Sequence, residues 1–245
     1  MALLIWTRSI DDWKNDKSVL DKLDVDVLHL PCIAMSGLSV KFPRRKPQVF
    51  IATSGNAIRY AARHAALLNL MRGAEAVFAI GPGTKEALAE FKVSAEVPNG
   101  VINAKSLADW LAKTLRPGTE VAWPCSKEPS YNIAEHLKRF DIHVEPLAVY
   151  ETDRSLHLPH GKEPDKDDIA RYIQSLEGVV CFASPSAVEG FTNSLKPSDN
   201  RLKHELTAVC IGDTTAAACR NHFETIIICK SPTVEILAET AFNNL

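Results

Sequence analysis

Short apolar runs rich in β-branched residues recur at 3–7, 25–30, 48–53, 77–81, 119–123, 142–149, 178–183, 207–211 and 225–229, and longer segments of helical period separate them. A strand covered on both faces reads as a continuous apolar run, so this alternation predicts parallel strands joined by right-handed helical crossovers. The longest helical pattern covers 55–72, where Ala57, Ala61, Ala65, Leu68 and Met71 mark one face. Ser231-Pro232 predicts the start of the last helix, with the serine as N-cap and the proline at the first helical position. Two stretches carry neither period. Residues 37–46, which hold Phe42-Pro43-Arg44-Arg45-Lys46, and residues 151–167, with Pro159, Gly161 and Pro164 among charges, read as linkers.

The pattern is written twice. Trp6, Leu20, Leu23, Asp24, Val25 and Val27 return at one constant spacing as Trp123, Leu137, Phe140, Asp141, Ile142 and Val144. Ser54-Gly55-Asn56-Ala57-Ile58 returns as Ser184-Pro185-Ser186-Ala187-Val188, and Ile80-Gly81-Pro82-Gly83-Thr84 returns as Ile211-Gly212-Asp213-Thr214-Thr215. Three separated blocks that keep their order indicate duplication of one α/β unit. Two similar lobes predict a cleft, and clefts bind ligands.

Bulk composition narrows the classes. A chain of 245 residues with 46% apolar and 24% charged positions is ordinary for a soluble folded protein and suits two lobes. A net charge of -2 exerts no general pull on nucleic acid, so no nucleic-acid partner is expected and the Arg44-Arg45-Lys46 run reads as a solvated linker. The apolar start, 2–6, is broken at once by Arg8, Asp11 and Asp12 and is too short for a signal or membrane helix. A cytoplasmic monomer without a membrane partner is the expectation. Six cysteines form no C-x-x-C pair and sit mostly in apolar runs, which predicts buried thiols. His157 and His160 lack H-E-x-x-H spacing and read as exposed loop residues, leaving no metal site.

Candidate chemistry lies at the strand ends. Thr53-Ser54-Gly55-Asn56, Gly81-Pro82-Gly83-Thr84, Ser184-Pro185-Ser186 and Gly212-Asp213-Thr214-Thr215 each follow a predicted strand and open a helix. In an open parallel sheet these turns share the carboxyl edge, where free N–H groups and positive helix ends suit carboxylates or phosphates. Neither glycine turn completes G-x-G-x-x-G or G-x-x-x-x-G-K-[ST], and neither Ser54 nor Ser184 sits in G-x-S-x-G, so nucleotide cofactors and a serine hydrolase are not indicated. Tyr150 closes the apolar run 144–149 before Glu151-Thr152. Its phenol is protonated at neutral pH and able to donate.

Taken in order, Thr7-Arg8, Thr53-Ser54 before Asn56-Ala57, Ile80-Gly81 with Thr84, Val149-Tyr150-Glu151-Thr152, Phe182 with Ser184-Pro185-Ser186-Ala187, Ile211-Gly212 with Thr214-Thr215-Ala216, and Ser231-Pro232-Thr233 resemble uroporphyrinogen-III synthases. The resemblance implies an α/β fold of two similar lobes, each a parallel sheet flanked by helices in the flavodoxin or Rossmann manner, joined by two extended linkers. One lobe would be discontinuous, 1–36 with 168–245, around an inserted lobe at 47–150, with linkers at 37–46 and 151–167. It implies cyclisation of hydroxymethylbilane, a linear tetrapyrrole polycarboxylate, to uroporphyrinogen III with loss of water and inversion of the last ring, and no cofactor. Tyr150 matches the tyrosine expected to assist departure of the hydroxyl. Ser54, Asn56, Thr84, Ser184, Ser186, Thr214 and Thr215 match turn positions expected to bind substrate; Arg8 is expected to bind it too and, with Arg44, Arg45 and Lys46, to help steer it. A two-lobed binding or sensor protein is the competing reading from another class.

Overall fold

A computed structural model of the chain describes residues 3–156, 172, 173, 175–193 and 206–245. By contact density the chain divides into two compact units, Met1–Met35 with Asp153–Leu245, and Ser36–Thr152. In the first unit, β1 (Leu3–Trp6), β2 (Val27–His29), β8 (Gly178–Phe182), β9 (Leu206–Cys210) and β10 (Thr225–Ile228) form one sheet in the order β10-β9-β8-β1-β2. Every neighbouring pair in it is parallel. The second sheet runs β3-β7-β6-β4-β5, built from β3 (Ala34–Gly37), β4 (Val49–Ala52), β5 (Ala76–Ala79), β6 (Glu120–Ser126) and β7 (His143–Asp153). Its β4–β5, β4–β6 and β6–β7 pairs are parallel.

The sequence repeat is carried into the sheets. β2, β1, β8 and β9 stand side by side in the first, and their counterparts β7, β6, β4 and β5 stand in the same lateral order in the second. Burial follows the repeat as well: positions 51–60 and 181–190 are buried, half-buried and exposed in the same succession, residue for residue.

Helices cover both faces, which explains why the strands read as continuous apolar runs. In the first unit Leu4, Trp6, Val179, Cys181 and Val209 join one core, while the alternate residues Ile5, Val180, Phe182, Ala208 and Cys210 join the other. Phe182, Phe191 and Phe223 pack against one another with ring centroids 5.5–6.2 Å apart. Each such buried ring contributes roughly 1.5–3 kcal/mol of transfer free energy. All six cysteines are free and buried, as expected.

Some elements differ from the sequence reading. Positions 55–72 form two helices, α2 (Gly55–Ala62) and α3 (Ala65–Arg72): Arg63 ends the first as its C-cap, with its guanidinium over the Tyr60 ring, and His64 takes up extended backbone as the N-cap of α3. The break rotates the buried face, so Leu67 and Met71 are buried whereas Ala65 is exposed. The last helix starts later than expected, at Val234, and Thr233 caps it by accepting the Ile236 N–H at 3.3 Å. Strand β3 takes in Gly37 at the start of the first expected linker, and β7 continues through Tyr150 to Asp153, into the second. His157, His160 and the expected boundary at 168 lie outside the described residues. Among the described residues, no helix is long and apolar enough to cross a membrane.

Candidate functional site

Parallel strands bring their carboxyl ends to one edge, and ligands favour the point where successive crossovers leave a sheet in opposite directions. That point lies between β4 and β6 in the second unit and between β1 and β8 in the first. In the second unit β4 delivers Thr53 and Ser54, β5 delivers Gly81 to Thr84, β6 ends at Ser126 and β7 carries Tyr150. The Trp123 indole donates to Thr53 Oγ1 at 3.0 Å and ties the end of β4 to β6.

Tyr150 is half-buried, and the hydroxyls of Ser54 and Ser126 lie beside its phenol. Its ring stacks on Tyr60, centroids 5.3 Å apart and planes 17° apart, and Arg63 Cζ lies 4.1 Å from the centre of the Tyr60 ring. Burial raises the Tyr150 phenol above its ordinary 10.0, and the hydroxyls of Ser54 and Ser126 partly oppose that rise. The group is therefore a neutral donor across the physiological range. Gly37 lets β3 lie against this stack, since a Cβ there would meet Tyr60 Cδ1 at 3.3 Å.

Two further turns carry the conformation of uncapped helix starts. Gly81 (φ -172°, ψ 176°) opens α4 (Pro82–Glu90), and Gly212 (φ -174°, ψ 179°) opens α8 (Asp213–Cys219). Neither helix has a side-chain cap, so the first N–H groups are left for solvent or an anion. Thr84 and Thr215 hold the same third position and are both buried, at 8% and 1% exposure, whereas Thr214 and Asp213 are exposed. Asn56 and Ser186 are half-buried at matching positions near the starts of α2 and α7 (Pro185–Thr192). Asn56 Oδ1 faces Arg59 Nη1 at 3.5 Å, and Arg59 also pairs with Glu90 at 3.0 Å.

Arg8 follows β1 in the first unit, and its charge is already engaged. Its guanidinium meets Asp16 at 3.0 Å and Asp12 at 3.2 Å, both from α1 (Ile10–Leu20). Asp16 is buried and also accepts the Trp6 indole N–H at 2.9 Å. Burial pushes the Asp16 carboxyl up, against the pull of Trp6 and Arg8. The Arg8 carbonyl accepts from His29 Nε2 at 3.0 Å, and the His29 ring stacks on Trp13 at 4.1 Å, 5° from parallel. In the first expected linker, Arg45 pairs with Glu120, and Arg44 lines an open groove of about 800 Å³ with Lys41 and Lys127.

The structure thus brings Ser54 and Tyr150 into contact in the second unit, with Asn56 and Thr84 on neighbouring turns of the same sheet edge. Arg8, Ser184, Ser186, Thr214 and Thr215 stand at the corresponding edge of the first unit. Tyr60 and Ser126 complete the surroundings of Tyr150 without any sequence motif to announce them. Among the described residues, no group of three or more His, Cys, Asp or Glu side chains is arranged to hold a metal ion.

A profile of the uroporphyrinogen-III synthase HemD family matches residues 15–239. The chain resembles a crystal structure of mutant uroporphyrinogen III synthase from Thermus thermophilus, with a TM-score of 0.63 and 17% identity over 98% of this chain and 97% of that one. It resembles uroporphyrinogen-III synthetase from Helicobacter pylori to the same degree, a TM-score of 0.63 and 17% identity over 99% of both chains. At that identity the likeness concerns the fold. A direct search of curated protein sequences gives no match.

Proposed function

The chain belongs to the uroporphyrinogen-III synthase family, and on that premise we propose that Tyr150 protonates the departing hydroxyl of the substrate while the helix-opening turns hold its carboxylates. The reaction is cyclisation of hydroxymethylbilane to uroporphyrinogen III, with loss of water and inversion of the last pyrrole ring, in haem biosynthesis. The enzyme is a cyclising hydro-lyase.

One observation carries the reading of the site: a phenol that burial keeps protonated stands at the switch point of a parallel sheet, with the hydroxyls of Ser54 and Ser126 beside it. A neutral phenol can pass its proton to the leaving oxygen, which departs as water, and the two serine hydroxyls then stabilise the phenolate. The substrate closes unaided to the uninverted isomer, so the enzyme's larger task is to hold the last ring for attack at its substituted carbon. Positioning is the main catalytic contribution. The uncapped N–H groups after Gly81 and Gly212 suit carboxylates, with Thr84, Thr214 and Thr215 shaping those turns. Asp213 at the start of α8 repels an anion, so that turn meets a carboxylate through its N–H groups with the Asp213 side chain turned outward. Ser184, Ser186 and Asn56 add polar contacts at matching turns. Arg8, neutralised by Asp12 and Asp16, holds α1 against the sheet edge and is a weak source of steering.

A substrate with eight carboxylates stays in water, which supports a reaction without a membrane partner. The test is a coupled assay in which hydroxymethylbilane is generated in situ, the purified protein is added, and the oxidised products are separated as type I and type III isomers. Type III is the expected product. Type I alone, from folded protein at several concentrations, would remove the synthase activity and favour a two-lobed binding protein.

A further inference from the structure

β6 and β7 pair one to one from Glu120 with His143 to Cys125 with Ala148, and then the register slips so that Ser126 stands opposite Tyr150. Val149 is the extra residue, and it is fully buried. An unbroken ladder would set Ser126 against Val149, and because side chains alternate across a strand a one-residue slip changes which face meets which. Bulges of this kind serve to re-aim a side chain. The Lys127 N–H then donates to the Tyr150 carbonyl at 2.8 Å, and Lys127 Nζ pairs with Glu151 at 2.7 Å, so the shifted register is fixed on the far side of the slip.

The repeat supplies an independent comparison. At the spacing that matches Trp6 to Trp123, Ser126 corresponds to Ser9 on the equivalent central strand. Ser9 caps α1 by accepting the Asp12 N–H at 3.3 Å. Ser184 likewise caps α7 through the Ala187 N–H. Ser126 caps no helix, since Asn132 caps α6 (Ile133–Lys138), and Ser54 makes no side-chain cap on α2. Neither serine of the second unit keeps the capping role of its counterpart, and both stand beside the Tyr150 phenol.

We infer that Ser126, brought into register by the bulge, is a positioning residue which with Ser54 fixes the Tyr150 hydroxyl and receives the phenolate when the proton leaves. This rests on the reading of Tyr150 as the proton donor. Each serine donates its O–H to the phenol oxygen, leaving the phenol O–H directed at the substrate. On proton transfer the O–H bond of Tyr150 breaks, the substrate oxygen gains the proton and departs as water, and the electron pair left on the phenolate is held between two donors. The other titratable groups beside the phenol are Cys125 on β6 and Tyr60 on α2, with Arg63 over the Tyr60 ring. Neither neighbour offers the phenolate a hydroxyl within the same ladder.

The experiment compares Ser126→Ala and Ser126→Thr by two readings. Tyrosinate absorbance after an alkaline pH jump, with Tyr150→Phe as reference, reports the midpoint of Tyr150. Turnover of hydroxymethylbilane reports kcat and KM separately. Removing the hydroxyl is expected to raise the midpoint and to lower kcat about tenfold, with KM within about twofold, and threonine is expected to restore both. Ser126→Val, which has threonine's shape without its hydroxyl, serves if alanine disturbs the strand end. An unmoved midpoint in a folded Ser126→Ala or Ser126→Val overturns the inference itself. A raised midpoint with unchanged turnover overturns instead the reading of Tyr150 on which it rests.

Discussion

Ser184 accepts the Ala187 N–H at 3.2 Å and caps α7, whereas Ser54, its counterpart in the repeat, leaves α2 without a side-chain cap and stands beside the Tyr150 phenol. Two residues of one type, at nearly the same backbone angles (φ -160° and -157°), therefore do different work. The same substitution separates them. Ser184→Ala should lower unfolding free energy by about 1 kcal/mol, the usual value of an N-cap, while Ser54→Ala should change it by less than about 0.5 kcal/mol. Chemical denaturation measures both. In turnover the order reverses, and Ser54→Ala should lose more of kcat.

Tyr150→Phe keeps the ring that stacks on Tyr60 and removes only the hydroxyl. Positioned acids contribute about a hundredfold to ten-thousandfold, so kcat should fall within that range while the thermal midpoint stays close to that of the unaltered protein. Because burial holds the phenol above 10.0, loss of its proton should not limit the rate on the alkaline side until the pH exceeds that value. Wild-type turnover from Tyr150→Phe would sink the proposed role.

The strand positions were legible because a sheet covered on both faces demands apolar residues at every position, and that leaves an unbroken trace. β3 was not, since Ala34-Met35-Ser36-Gly37 carries no β-branched residue and Gly37 is selected by the ring it lies against. The break between α2 and α3 was hidden because Arg63 and His64 are tolerable helix residues and neither glycine nor proline marks it. At the candidate site, the position of Tyr150 after an apolar run was visible, but the ring beneath it was not. Tyr60 reads as one more residue of a helical face, and its counterpart in the repeat is Gly190, where a Cβ would collide with the Cys32 carbonyl oxygen. A lone serine in Pro124-Cys125-Ser126-Lys127 gives no hint of a register slip, which is a property of two paired strands.

Thr214 and Thr215 differ in burial despite being neighbours. Thr215 is 1% exposed and Thr214 is exposed, so their side chains cannot serve a substrate equally. Thr214→Ala should raise KM with little change in stability. Thr215→Ala should lower stability by roughly 1 kcal/mol, through lost packing at a buried site, and raise KM only as far as the turn after Gly212 shifts. Steady-state kinetics beside urea denaturation of the two variants decides the matter, and a larger KM effect at Thr215 would assign the carboxylate to its buried hydroxyl.

His29 predicts how stability responds to mild acid. Burial lowers its pKa below the ordinary 6.5, while its hydrogen bond to the Arg8 carbonyl only partly opposes the shift. Because the folded pKa is the lower of the two, the unfolded chain binds the extra proton first as pH falls below 6.5, and folding free energy is lost across the interval down to the folded value. Asp16 works in the opposite sense. Its folded pKa is raised above 3.8, so in the acid interval down to 3.8 the folded state binds the extra proton and regains stability. Unfolding free energy should therefore fall just below pH 6.5 and level off or recover before the remaining carboxylates titrate. His29→Gln keeps a donor for the Arg8 carbonyl but does not titrate, and it should flatten the first decline, leaving the part due to His222, which burial lowers in the same way. Urea denaturation at a series of pH values measures it, and an unchanged slope in His29→Gln would assign the decline to other groups.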